Sequence, residues 1–323
     1  MGDLFSTIAF LFRQTMFFAI PLLIVAIGGL FSERSGVTNI ALDGIMIMGA
    51  FASIFFINRM QSTMSGQTLL LLAILVAAAA GMVFSLLHAY AAINMKSDQI
   101  ISGTALNMFA PAFAIYVART IQENGVQQIA FTNTFRIEKV PVLGDIPVLG
   151  DLFFKDAYIT TYIGFAILAV AAVVLYKTRF GLRLRACGEH PQAADSVGIN
   201  VYKIRYAGVL ISGALAGVGG LVFIIPTSTN FNATVAGYGF LALAVLIFGQ
   251  WKPLRVLFAA FFFGFFKAVA STSSGIPFLA GLGIPSDIYK MVPYIATLIV
   301  LAFTSKNSQA PKAVGVPYDK GSR

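Results

Sequence analysis

Long apolar runs dominate this chain, and short polar stretches separate them. Runs that read as membrane-crossing helices occupy roughly 11–31, 37–57, 68–93, 99–118, 158–176, 204–225, 238–250, 254–270 and 287–304. A spanning helix needs ~20 apolar residues to cross ~30 Å of hydrocarbon. An open sheet in lipid would leave backbone groups unpaired, and the ten-residue alternation of a barrel strand is absent. The pattern predicts an all-α polytopic membrane protein with about 9–10 transmembrane segments. One of them is expected to be broken or re-entrant. The best placed is 37–57, which glycine and polar residues interrupt.

Two polar stretches set the sides. In 177–205, Lys177, Arg179, Arg183, Arg185, Lys203 and Arg205 face only Glu189 and Asp195. In 119–157, Arg119, Arg136, Lys139 and Lys155 are outnumbered by Glu123, Glu138, Asp145, Asp151 and Asp156. Because Lys and Arg accumulate in cytoplasmic loops, the first stretch is expected inside and the second outside. The tail 306–323 carries Lys306, Lys312, Lys320 and Arg323 and reads as cytoplasmic, leaving 1–305 as the membrane domain. Five simple spans counted back from the basic loop put the N-terminus outside, and a re-entrant segment would reverse that. The outer loop repeats a unit, Pro141-Val-Leu-Gly-Asp145 and Pro147-Val-Leu-Gly-Asp151, whose Pro and Gly punctuate tight turns. A structured cap over the outer mouth is the modest reading.

Composition agrees. Of 323 residues, 58% are hydrophobic and 11% charged, with mean hydropathy +0.84; a soluble domain carries about a quarter charged residues. The net charge of +9 sits at membrane edges and is no nucleic-acid footprint. Asp3 and the lack of an early basic cluster argue against a cleaved leader. Cys187, the only cysteine, cannot form an internal disulfide. Two histidines, His88 and His190, make a zinc site improbable. No phosphate-binding Gly-x-x-x-x-Gly-Lys-Ser/Thr loop and no nucleophile elbow occur, so neither catalysis nor a cofactor is expected.

The most distinctive segment is Gly181-Leu-Arg-Leu-Arg-Ala-Cys-Gly-Glu-His-Pro-Gln-Ala-Ala-Asp-Ser-Val-Gly-Ile199. Pro191 suits a first helical turn, Glu189 favours the positive helix end, and Gly198 suits a stop. These predict a short helix, about 190–197, with Ala193 and Ala194 on its surface. It can insert into a cleft on a partner, or it is an ordinary basic loop held at anionic headgroups.

The run Ser32-Glu-Arg-Ser-Gly-Val-Thr-Asn-Ile-Ala-Leu-Asp-Gly-Ile-Met-Ile-Met-Gly-Ala50 resembles the opening motif of permease subunits in ATP-binding-cassette importers, in the branch handling branched-chain amino acids, simple sugars and nucleosides. The segment 181–199 resembles that branch's coupling-helix motif, and the likeness covers nearly the whole chain. Glu33-Arg-Ser-Gly36 with Asn39 and Ile40, the 141–151 loop and Ala236-Gly-Tyr-Gly-Phe240 look most like nucleoside permeases. Two departures are Asp43, often Glu, and His190, usually Asn. The resemblance implies a bacterial cell-membrane channel subunit. It would pair with a second permease as a homo- or heterodimer, dock separate ATPase subunits and receive solute from an extracytoplasmic binding protein. Gly188, Glu189, His190, Pro191, Ala193, Ala194, Asp195 and Gly198 would then carry the ATPase coupling. The alternatives are a sugar or branched-chain amino acid permease of the same class, or an ion-coupled secondary transporter.

Within the membrane, Asn39 and Asp43 are four apart and are expected to share a helix face. A carboxylate in hydrocarbon is costly, so Asp43 either lines a polar route or pairs with a basic residue such as Arg34. Thr104 and Asn107 either meet the solute or glue neighbouring helices. Asn230 and Asn232, in an uncharged polar stretch at the outer mouth, can bond a neutral solute or cap the next helix. Phe231 or Tyr238 could stack on a base or sit at the interface. Lys267 is expected to snorkel outward, and Asp287 and Lys290 to pair on a helix surface. Gly213, Gly217, Gly219 and Gly220 permit close helix approach, either inside the subunit or at a dimer seam.

Overall fold

The computed structural model describes residues 2–122, 125–132, 134–272 and 309–320, with scattered positions between 285 and 299. The helices are α1 (Gly2–Arg34), α2 (Leu42–Met60), α3 (Gly66–Ile93), α4 (Gln99–Ile121), α5 (Ile159–Lys177), α6 (Arg179–Glu189), α7 (Pro191–Ser196), α8 (Val201–Thr227), α9 (Tyr238–Phe248) and α10 (Pro253–Thr272). Among the described residues seven are long and apolar enough to span a bilayer: α1 to α5, α8 and α10. The segment expected at 238–250 is α9. Its 11 residues reach about 16 Å at 1.5 Å per residue, half a bilayer. Described positions between 288 and 299 are helical; Asp287, Lys290 and much of the expected 287–304 span lie outside the described residues.

The expected break lies earlier than 37–57 suggests. Arg34 ends α1, residues 35–41 leave the helix through Gly36 at φ +95°, and α2 starts only at Leu42. Val37, Ile40 and Ala41 are apolar but not helical, so hydropathy overran the boundary.

Contacts at the helix ends order the sides. Near one end of α1, Arg13 pairs with Asp156 of the outer loop at 3.0 Å; at the other, Arg34 faces Glu189 of the basic loop at 3.7 Å. α2 returns to the outer loop, where Asn58 donates to the Ala130 carbonyl at 2.8 Å. The N-terminal end of α1 therefore shares a side with the outer loop, because the break turns the chain without adding a crossing.

At the centre stands α8, packed on α1, α2 and α3. Lipid tails are as apolar as side chains, so close packing of small residues must hold helices together. Gly213 and Gly217 abut Gly81 on α3, and Gly217 also meets Gly49 on α2, with no room for a side chain between them. The glycine stripe thus packs inside the subunit. In the outer loop β1 (Ile129–Ala130) pairs antiparallel with β4 (Asn230–Phe231), and β2 (Arg136–Lys139) with β3 (Lys155–Tyr158). The two repeat units diverge: Leu143–Asp145 forms a 3₁₀ turn, Gly150–Phe154 a wider π turn.

Candidate functional site

A helix that begins inside a bilayer exposes amide groups that no water can satisfy. Leu42 and Gly44 at the start of α2 and Tyr238 and Gly239 at the start of α9 are buried in the bundle, and neither helix has a side-chain cap from its own N-terminal neighbour. Their partners come from other helices. Asn107 on α4 accepts from the Gly44 amide at 2.7 Å and donates to the Ile40 carbonyl at 2.8 Å. Asp43 on α2 accepts from the Gly239 amide at 2.9 Å, so its carboxylate sits at the positive end of α9.

This corrects the expected pairing of Asp43 with Arg34. Arg34 instead donates to the Trp251 carbonyl at 2.9 Å beside Glu189, while the Trp251 indole donates to Glu33 at 2.5 Å. Asn39 does not share a helix with Asp43: it precedes α2, is fully buried, and donates to Ser212 of α8 at 2.9 Å. The Thr38 backbone in the break also finds distant side-chain partners. Gln99 accepts from the Thr38 amide at 2.7 Å, and the His88 ring lies 2.9 Å from the Thr38 carbonyl and 3.0 Å from the Ser102 hydroxyl. Thr104 bonds to the Ile100 carbonyl of its own helix at 2.8 Å.

The start of α9 floors a cavity of about 410 Å³ in the outer-loop half of the bundle. Phe17, Phe18, Phe223, Tyr238 and Lys267 line it. Tyr238 is 2% exposed, its ring centroid lies 4.0 Å from that of Phe223, and its hydroxyl has no hydrogen-bond partner among the described residues. Lys267 does not snorkel outward. Its ammonium lies 5.8 Å from the Tyr238 ring centroid and 5.7 Å from that of Tyr294, within cation–π range. Asn230 is half-buried in β4 and Asn232, just past that strand, is exposed, both in the stretch leading to α9. Phe231 is buried and pairs with Ile129 in the β1–β4 ladder.

On the opposite side, the basic loop is a helical hairpin. α7 runs Pro191–Ser196, with Pro191 in its first turn, and Gly198 just past its end takes φ +81°. The preceding helix α6, which the arginine-rich sequence hid, starts with Thr178 accepting from the Gly181 amide at 3.1 Å. Ala193 is exposed as expected, but Ala194 is buried: three residues from Pro191, it shares that residue's inward face and packs with Cys187, Val201 and Tyr318. His190 is exposed and offers no side-chain cap.

The tail is no free appendage. The Ala313 amide donates to the Gly188 carbonyl at 2.9 Å and the Lys312 amide reaches Glu189 at 3.4 Å. Arg205, 1% exposed, donates to the Val316 carbonyl at 3.1 Å and stacks on Tyr318 at 5.9 Å. Burial, and after it the Asp195 carboxylate, raises the Tyr318 phenol above its ordinary value. Lys96 pairs with Asp319 at 3.0 Å. Burial beneath this segment pushes the Cys187 thiol up to about 11. Sequence reading missed the tail contact; an arginine at the mouth of an apolar span was the available signal.

Such an arrangement serves passage rather than bond chemistry, and defines a polytopic transport permease. The chain belongs to the family described as "Branched-chain amino acid transport system / permease component", which matches residues 11–301. It is 44% identical to the guanosine ABC transporter permease protein NupQ of Bacillus subtilis, across 99% of this chain and 100% of that protein. Identity is 42% to the nucleoside ABC transporter permease protein NupC of Lactococcus lactis, across 98% of each. It is 30% to the putative glucose ABC transporter permease protein TsgC13 of Haloferax volcanii, across 92% of each. No solved structure matches.

Proposed function

We propose that this chain is the channel-forming subunit of an ATP-driven nucleoside importer in the cell membrane, working with separate ATPase subunits and an extracytoplasmic binding protein. A second permease subunit, identical or related, completes the channel. Residues 177–205 and 306–323 face the cytoplasm and 119–157 the outside, following the excess of Lys and Arg in the first stretch.

The observation that carries this reading is the split character of α7. Its inward side is locked through Pro191 and Ala194 to α6, α8 and the tail, while Gln192, Ala193 and Ser196 are left uncovered. A helix rigidly tied to the bundle and bare outward transmits force from a docked partner. Gly188 and Glu189 pass that force to Arg34 and the tail, and Asp195 passes it to Tyr318. The broken starts of α2 and α9, held by Asn107 and Asp43, are the elements it would move. Nucleoside as solute is supported by the similarity to the two nucleoside permeases over essentially the whole chain.

The test is reconstitution with the ATPase and binding protein in vesicles. Accumulation of labelled nucleoside that requires ATP and survives collapse of ion gradients is expected. Uptake that needs an ion gradient and no ATPase overturns the reading. Ala193→Arg on the bare face is expected to reduce co-purification with the ATPase while leaving the permease folded.

A further inference from the structure

The aromatic cavity in the outer-loop half has bonding capacity that the chain itself leaves unused. Lys267 stands within it, and among the described residues no carboxylate pairs with its ammonium. An ammonium has three donors and no acceptor, so a ligand must offer it acceptor atoms. Beside it the buried Tyr238 hydroxyl lacks a partner among the described residues, an arrangement that is costly unless a visitor satisfies it. Phe17, Phe18 and Phe223 supply flat apolar faces, and about 410 Å³ lies within the range of small-molecule pockets. Flat faces with one cation at the rim suit a planar heterocycle better than a sugar or an aliphatic amino acid. Among the described lining residues there is no carboxylate to clamp an ammonium, and the polar groups of Gln14, Thr227 and Ser271 can bond a ribose attached to the base.

We propose that this cavity is a nucleobase subsite on the translocation path, in which Lys267 selects bases with an oxo edge. Guanine and hypoxanthine present O6 and N7 as adjacent acceptors, a pair that lysine recognises. Adenine places an amino donor beside N7, facing the ammonium with like polarity. The same logic favours uridine, with its O4 acceptor, over cytidine, with its N4 amine. The base slides between aromatic faces, and Asp43, through the Gly239 amide, fixes the helix start that carries Tyr238. This inference rests on the nucleoside-importer reading and adds to it the base edge and the residue that reads it.

The experiment measures ATP-dependent uptake of guanosine, adenosine, uridine and cytidine by the complete transporter in vesicles. The wild-type protein is expected to favour guanosine over adenosine and uridine over cytidine. Lys267→Met should raise KM for guanosine about tenfold, one ordinary charged hydrogen bond, and change adenosine less than about twofold, so that discrimination collapses. Lys267→Gln, which keeps a donor, should retain part of the preference. Membrane levels and a single symmetric peak in detergent gel filtration serve as the measure of a folded, inserted permease. Unchanged discrimination in Lys267→Met overturns the subsite, as does equal loss of all four solutes in both variants at wild-type membrane levels. A wild-type protein that imports no nucleoside with ATP instead overturns the importer reading itself.

Discussion

Two sets of helix starts are held in opposite ways. α4, α6 and α8 are capped by the residue that precedes them: Asp98 accepts from the Ile100 and Ile101 amides, Thr178 from Gly181, and Asn200 from Lys203. α2, α3, α5, α7 and α9 have no such cap, and α2 and α9 take a distant side chain instead. α2 is held by Asn107, 63 residues from its partner Gly44, and α9 by Asp43, 196 residues from Gly239. α7 is held by a C-terminal segment that packs Tyr318 on its inner side. A local cap secures a helix wherever the bundle moves. A distant cap makes one helix start answer to another helix. The two starts held by a distant side chain are those assigned here to solute passage.

Removing a remote cap should do the most damage. Asn107→Ala orphans the part-buried Gly44 amide and Ile40 carbonyl. It is expected to cost about 2 kcal/mol, read as a lower thermal midpoint in detergent, together with a severe loss of uptake. Asp43→Ala should follow closely, whereas Asp43→Asn keeps an acceptor oxygen for Gly239 and is expected to recover most of the transport rate. If Ala and Asn behave alike at position 43, charge rather than capping governs the site, and the comparison breaks there.

Next in size is the tail. Cys187 is fully buried and is the chain's single cysteine, so maleimide labelling reports whether the segment over it has lifted. The intact protein is expected to label negligibly, because the thiol is both covered and kept protonated. Tyr318→Ala, or a chain ending at residue 308, should label readily and couple ATP hydrolysis to uptake less tightly. Resistance to labelling in both would mean the tail does not cover the hairpin in solution.

Smallest should be the local caps. Asp98→Ala is expected to cost about 1 kcal/mol, seen as faster hydrogen exchange in the first turn of α4, with uptake unchanged. A transport defect equal to that of Asn107→Ala would erase the distinction between the two classes.

Hydropathy located the spans because burial in lipid depends on composition over some twenty residues, which any one window contains. It failed where the determining neighbour was elsewhere. Val37 and Ile40 look like helix but sit in a break whose amides and carbonyls are taken by Gln99, His88 and Asn107. Arg183 and Arg185 disguised α6 as loop, although Thr178 was a legible cap. Of the candidate residues, Pro191 and Gly198 were readable because their effect is on their own backbone. Ala194, Lys267 and Tyr238 were not, since helical spacing says which residues share a face but not what that face meets.

What the amino-acid sequence determined alone was therefore the membrane class, the approximate spans and the short α7 with its glycine stop. Each depends on residues within one or two turns. The tertiary structure alone decided that Asp43 caps α9, that Arg205 clamps the tail, and that Lys267 turns onto Tyr238 in an aromatic cavity. A buried polar group must find a partner, and which partner it finds depends on packing that brings together residues far apart in the chain.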